Sequence, residues 1–169
     1  TLISNLKAPD GRFEYIISPS NVTAIIDYAH TPDALENILK TLVNLRNSNQ
    51  KILTVFGCGG DRDRGKRPLM GEISSIYSDQ VFITSDNPRS ENPSSIIKEI
   101  FSGVNPDKSE IVSIIEDRRE AINKACKVAQ SGDIVLIAGK GHEKYQIIGK
   151  EKFHFDDLEE TIKVFKNKT

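Results

Sequence analysis

The sequence predicts an α/β fold, a Rossmann-like three-layer domain with a mostly parallel sheet of about six strands. A small N-terminal strand pair or C-terminal hairpin is expected beside it. Three observations carry this reading. Short apolar runs rich in Val and Ile alternate with segments of helical periodicity, which is the pattern of repeated βα units. Glycine, proline or a polar cluster closes each run, as turns require. The length of 169 residues, with 37% hydrophobic and 28% charged side chains, suits one compact domain, so residues 1–169 are taken as a single unit.

FEYIIS (13–18) and TAIIDY (23–28) read as strands joined through the turn Pro19-Ser20-Asn21. In TPDALENILKTLVNL (31–45), Ala34, Leu35, Ile38, Leu39, Leu42 and Leu45 form one apolar face at helical spacing. Thr31 is a natural N-cap, with Pro32 at the first helical position. KILTVF (51–56) is a buried strand and LMGEISSIYS (69–78) a helix. QVFITS (80–85) and PSSIIKEIFSG (93–103) repeat the unit, and IVSII (111–115) with DRREAINKACKVAQ (117–130) repeat it again. DIVLIAG (133–139) is the last strongly apolar strand. YQIIG and EKFHF read as a hairpin around Gly149-Lys150, and DDLEETIKVFKN closes as a helix.

Composition excludes several function classes. The net charge of −1 sets up no field for nucleic acid or an anionic membrane, and no basic face with interleaved aromatics is present. No apolar run approaches the ~20 residues of a membrane-spanning helix, and TLISNLKAPDGR lacks the basic-then-apolar order of a signal peptide. Cys58 and Cys126 have no metal-like spacing and read as reduced thiols, so a cytoplasmic setting is expected. His30, His142 and His154 are scattered, and no metal site is expected in this chain.

In a parallel sheet with helices on both faces, ligands sit beyond the carboxyl ends of the strands. The polar clusters fall there: DYAH after the second strand, GCGGDRDRGKR after the third, SDNPRSENP after the fourth and AGKGHEK after the sixth. Four loops that carry charge and glycine to one edge point to a single site.

GGDRDRGKRP (59–68) comes close to the phosphate loop G-x-x-x-x-G-K-[ST], but Arg67 stands where a hydroxyl should meet magnesium. Asp61 and Asp63 lie inside the would-be cradle. Each would repel a phosphate by ~1 kcal/mol at 4 Å in water and several-fold more in a partly dry site. The better reading is a glycine turn that presents Arg62 to an anionic or zwitterionic ligand; a solvated turn with local Asp–Arg pairs is the plainer one. In SDNPR, Asp86 and Asn87 suit an ammonium group and Arg89 offers a fork for a carboxylate, the equipment to grip both ends of an amino acid; a simple Asx-Pro turn is the alternative. In AGKGHEK, Gly139 allows close backbone approach and Glu143 can pair an amine, or the glycines merely end a strand. Asp27 can cap the following helix or meet a ribose hydroxyl or a metal-bound water. His30 can reach a phosphate or adenine. Arg12 is a lone cation that spacing does not interpret.

Taken together, GRFE (11–14), DYAHTPDALE (27–36), VFGCGGDRDRGKRPLMG (55–71), SDNPR (85–89) and AGKGHEKYQIIG (138–149) resemble the C-terminal domain of the Mur ligases. These are the amide-forming enzymes of bacterial peptidoglycan precursor synthesis. The motifs run in family order over nearly the whole chain, and their combination is specific although each alone is not. Family architecture has three domains, for the UDP-sugar, for ATP with the true P-loop, and a C-terminal Rossmann-like domain; this chain resembles the third only. The resemblance implies that ATP phosphorylates the D-glutamate carboxylate of UDP-MurNAc-L-Ala-D-Glu and that an amino acid's amine attacks the acyl phosphate. Mg²⁺ offsets phosphate charge, bound mainly by the central domain. Arg12, Asp27 and His30 match positions at ATP. Arg62, Asp86, Asn87, Arg89, Gly139 and Glu143 match positions at the incoming amino acid, with Asp86 and Pro88 shaping the loop. Arg89 points to meso-diaminopimelate, which differs from lysine by one terminal carboxylate. No nucleophile–base pair stands out. The isolated chain is expected to fold without turning over, and partners are the substrates and the other two domains. A sister amide ligase, lysine-adding or of folylpolyglutamate synthase type, and a non-catalytic nucleotide- or amino-acid-binding module are the alternatives.

Overall fold

The computed structural model describes residues 13–167. Five segments pair into the central sheet together with a short sixth: β1 (Phe13–Ile17), β2 (Thr23–Asp27), β3 (Ile52–Phe56), β4 (Gln80–Ile83), β5 (Val112–Ile114) and β6 (Ile134–Ala138). Their spatial order is β1-β2-β6-β3-β4-β5. Only β1 runs antiparallel to its neighbour; β2, β6, β3, β4 and β5 are parallel. The expected strand pair and the expected hairpin are both present, the second as β7 (Tyr145–Ile148) and β8 (Glu151–His154).

Alternation along the strands divides the core in two. On β3, Ile52 and Phe56 face one layer and Leu53 and Val55 the other; on β6, Ile134, Leu136 and Ala138 oppose Val135 and Ile137. Helices α1 (Pro32–Leu45), α2 (Lys66–Tyr77) and α3 (Pro93–Phe101) cover the first face through Leu35, Leu39, Leu42, Met70 and Ile100. Helices α4 (Arg118–Val128) and α5 (Asp157–Lys166) cover the second through Ala121, Ala125, Val164 and Phe165. Strands buried on both faces explain why β3 and β6 read as unbroken apolar runs.

The caps follow the sequence. Thr31 accepts a hydrogen bond from the Ala34 amide, with Pro32 at the first helical position. Asp156 accepts from the amides of Leu158 and Glu159 at α5. Several boundaries differ from expectation, and two of them have a structural cause. Helix α2 starts at Lys66 rather than Leu69, because Arg67 is buried against Glu91 and Glu99 through ion pairs and adds a turn that apolar periodicity does not mark. Strand β5 keeps three residues, since a 3₁₀ helix at Pro106–Ile111 takes up its start.

Strand β6 inserts between β2 and β3, so the loops after β3 and β6 leave toward opposite faces of the sheet. This is the switch point at which open α/β sheets form a crevice.

Candidate functional site

Of the nine positions singled out in the sequence, Arg12 lies outside the described residues. Asp27 ends β2, where its Oδ1 accepts from the Ala29 amide at 2.8 Å and shapes the loop, while Thr31 caps α1. The other seven line one cleft of about 290 Å³ at the carboxyl edge of the sheet: His30, Arg62, Asp86, Asn87, Arg89, Gly139 and Glu143. A wider groove of about 510 Å³ runs past Pro88, Pro93, Arg119 and Phe153, and gathers none of the nine. Convergent polar groups from separate strand ends, rather than size, mark the first as the candidate site.

The loop after β3 is not a phosphate cradle. Three of its amides are already spoken for: Gly60 N–H donates to Asn87 O, Asp61 N–H to Glu91 Oε1 and Gly65 N–H to Asp63 Oδ1. Asp61 in turn accepts from the Ser90 amide and hydroxyl. Gly60 is needed for close approach, since a Cβ there would stand 1.9 Å from the Pro88 carbonyl oxygen. The loop after β3 is thus laid against the loop after β4.

Arg67 fastens the two. Fully buried, it donates to both carboxylate oxygens of Glu91 at 2.9 Å, to Glu99 at 2.9 Å and to the Gly59 carbonyl at 3.0 Å. The bonds from Arg67, and then that from the Asp61 amide, hold the Glu91 carboxyl at about 2, well below its ordinary 4.5. A depressed carboxylate pKa contributes stability that is complete above the unfolded value and is lost as pH falls toward the folded one. The window here is pH 4.5 down to about 2. Thermal melts of wild type and Glu91→Gln are expected to differ at pH 7 and to converge toward pH 2–3; a constant gap would remove Glu91 as the source.

Arg89 follows Pro88 with φ of 52°, a left-handed backbone unusual for a long side chain. Its backbone is held from both sides by the hairpin, N–H to Ile147 O at 3.1 Å and O from Gly149 N–H at 2.8 Å. Its Nη1 donates to Gly60 O at 2.9 Å, so the guanidinium is anchored at one corner beside the cleft. Gly139, with φ of 114°, ends β6 where a Cβ would stand 3.1 Å from Asp86 Oδ2. His30 is exposed against Tyr28, ring centroids 4.5 Å apart, with Nδ1 2.8 Å from Tyr28 O. A carbonyl only accepts, so Nδ1 carries the proton and donates there.

Sequence reasoning missed the residues beneath the cleft. Lys140 is fully buried, and its ammonium lies 2.9 Å from Asn87 Oδ1, 2.7 Å from Tyr145 O and 3.1 Å from Asp86 Oδ1. Asp86, expected to meet a ligand ammonium, already has this partner and is 7% exposed. Arg118, equally buried, makes a two-point pair with Asp157 at 2.8 and 2.7 Å and donates to the Ala138 and Ser85 carbonyls, the residues immediately before Gly139 and Asp86. No local signal marks either residue, because every partner of Arg118 and the Asp86 and Asn87 partners of Lys140 are distant in sequence. Cys58 also lines the cleft, but burial pushes its thiol up to about 12, so it is no nucleophile at neutral pH. Both cysteines are buried.

Among the described residues, no three His, Cys, Asp or Glu side chains stand together in a group that could hold a metal ion. No helix among them is long and apolar enough to cross a membrane.

A family model described as Mur ligase, glutamate ligase domain, matches residues 11–141. Among curated proteins, the UDP-N-acetylmuramoyl-L-alanyl-D-glutamate–2,6-diaminopimelate ligase of Geobacter sulfurreducens is 53% identical over 171 residues, covering 93% of this chain and 33% of that protein. The ligase of the same name from Clostridioides difficile is 55% identical over 149 residues, covering 88% of this chain and 30% of that protein. A solved structure of a ligase of this name superposes with a TM-score of 0.86 at 44% identity, covering 98% of this chain and 33% of that one. The chain therefore spans about a third of the length of these relatives. Model match, identity and shared architecture agree: the chain belongs to the Mur ligase family, as its glutamate ligase domain.

Proposed function

We propose that this chain is the amino-acid-binding domain of a ligase that joins meso-diaminopimelate to UDP-MurNAc-L-Ala-D-Glu at the expense of ATP, in the cytoplasm of a bacterium. The observation that carries the reading is the pairing, in one cleft, of a donor set (Arg62, Asn87, Arg89) with an acceptor, Glu143. A zwitterionic amino acid needs both. Arg89 and Asn87 take a carboxylate of diaminopimelate, and Glu143 its ammonium. Gly139 lets the ligand approach the end of β6.

ATP meets the same edge of the sheet at Asp27 and His30, and Arg12 joins them by resemblance alone. The Nε2 of His30 lies on the side of the ring away from its Tyr28 bond, where a nucleotide group can meet it. In the reaction so assigned, ATP converts the D-glutamate carboxylate to an acyl phosphate, the diaminopimelate amine attacks it, and phosphate leaves. This chain contributes positioning and charge rather than a nucleophile. The UDP-sugar and the ATP triphosphate belong to the N-terminal and central domains of the same enzyme, and Mg²⁺ to the central one; no step assigned to this chain runs through the metal. Because its ligands span three domains, this one closes over the others during turnover.

The test is an amide-resolved NMR titration of this chain with meso-diaminopimelate, with L-lysine as control. Shifts at Arg62, Asn87, Arg89 and Glu143 with diaminopimelate alone are expected. Equal shifts with lysine would remove Arg89 as the selector. The chain by itself is expected to show no ATP-dependent ligation, and measurable turnover would contradict the division of labour.

A further inference from the structure

We propose that Lys140 is a positioning residue of the amino-acid site, which fixes the orientation of the Asn87 amide and so makes that side chain a donor toward the ligand. The inference rests on the amino-acid cleft proposed for this chain and adds to it how the cleft acquires its polarity.

Asn87 Oδ1 receives two donors, Lys140 Nζ at 2.9 Å and the Ile147 amide at 2.9 Å. Both groups can only donate, so the oxygen must point at them. Turned over, the amide would set its NH₂ against an ammonium and an N–H, which is unfavourable in a buried setting where Asn87 is 4% exposed. The NH₂ is therefore left on the cleft side, where Nδ2 lies 3.5 Å from Glu143 Oε2, a long contact that a better acceptor can replace. A ligand carboxylate is such an acceptor; a ligand ammonium is not. Asn87 belongs with Arg89 as a carboxylate group, and the acceptor duty falls to Glu143.

Lys140 has nothing left for the ligand itself. Its ammonium carries three protons, and three oxygens lie within 3.1 Å: Asn87 Oδ1, Tyr145 O and Asp86 Oδ1. It also stands 3.8 Å from Glu143 Oε2 and is fully buried. One cation thus joins the loop after β4, the loop after β6 and the start of the hairpin, and sets how two cleft-facing side chains present themselves.

The test uses steady-state kinetics of the full-length ligase, varying meso-diaminopimelate, ATP and the UDP-dipeptide in turn. Lys140→Met is expected to raise the KM for diaminopimelate about tenfold or more while that for ATP stays within about twofold. In an Asn87→Ala background the same substitution is expected to add less than threefold, because the residue through which it acts is gone. A full multiplicative effect in that background would overturn the role. A second variant keeps the proposal testable if Lys140→Met does not fold. With Lys140 in place, Asn87→Asp keeps one oxygen inward and turns the other toward the cleft, so it is expected to impair diaminopimelate use more than Asn87→Ala does. Asn87→Asp equal to or better than Asn87→Ala would overturn the orientation. An unchanged diaminopimelate KM in Asn87→Ala itself would instead overturn the cleft reading, and the role of Lys140 with it.

Discussion

Arg89→Ala in the full-length ligase is expected to raise the KM for meso-diaminopimelate about 10²-fold, the loss of a charge-assisted, two-point bond, while leaving the KM for ATP within about twofold. The larger consequence concerns selection. Lysine offers a hydrogen where diaminopimelate has its second carboxylate. With lysine bound, the Arg89 guanidinium would be half-buried with one corner fixed on Gly60 O and the rest unsatisfied. Sites that leave a buried polar group unpaired reject the wrong ligand by ~10⁴ or more. Removing the side chain removes the penalty as well as the bond, so the preference for diaminopimelate over lysine is expected to fall by orders of magnitude in the variant. The geometry supports a fixed rather than a searching arginine. Its backbone is held in a left-handed conformation by two bonds to the hairpin, and a Cβ at Gly59 would stand 2.9 Å from Nη1. Equal rises in KM for diaminopimelate and ATP would show that Arg89 supports the domain rather than the ligand.

The sheet, its helices and the edge that carries the site are legible in the sequence, because each depends on periods of two or 3.6 residues and on the polar loops that close the strands. β3 and β6 announce themselves as apolar runs, and Thr31-Pro32 as a helix start. The near P-loop is legible in part. Its carboxylates argue against a phosphate, but nothing local says that Asp61 belongs to Ser90 or that Gly60 leans on Pro88. The supporting charges are not legible at all. Arg118 and Arg119 are neighbours of one type in DRRE, yet the first is buried and the second is mostly exposed. Lys140 sits among glycines that attract attention for their own conformations. The partners of Arg118, and the Asp86 and Asn87 partners of Lys140, come from chain segments brought together only by the fold, and pattern within a window of a dozen residues carries no trace of them.

Asp157→Ala is expected to have the largest effect on stability. Burial alone would push the Arg118 guanidinium toward its neutral form; the Asp157 carboxylate, through charge and two hydrogen bonds, more than offsets this, and the group stays ionised. Both side chains are fully buried, so the pair's net worth against an apolar replacement is small. Breaking it is another matter, because an unpaired cation remains inside, at a cost of about 3–5 kcal/mol. For a domain of this size that corresponds to a Tm lower by roughly 10 °C. The damage should also reach the site. Arg118 Nη2 donates to Ala138 O at 3.1 Å, and Nη1 lies 3.4 Å from Ser85 O, so one guanidinium holds the last carbonyl before each ligand loop. The double variant Arg118→Met with Asp157→Leu separates the two consequences. It removes the stranded charge and should recover most of the lost Tm, but it cannot bond either carbonyl, so diaminopimelate binding should stay weakened. A Tm for Asp157→Ala within about 2 °C of wild type would contradict the cost assigned to the pair. Full recovery of diaminopimelate binding in the double variant would show that the carbonyl bonds do not set the loops, and that the pair serves the core alone.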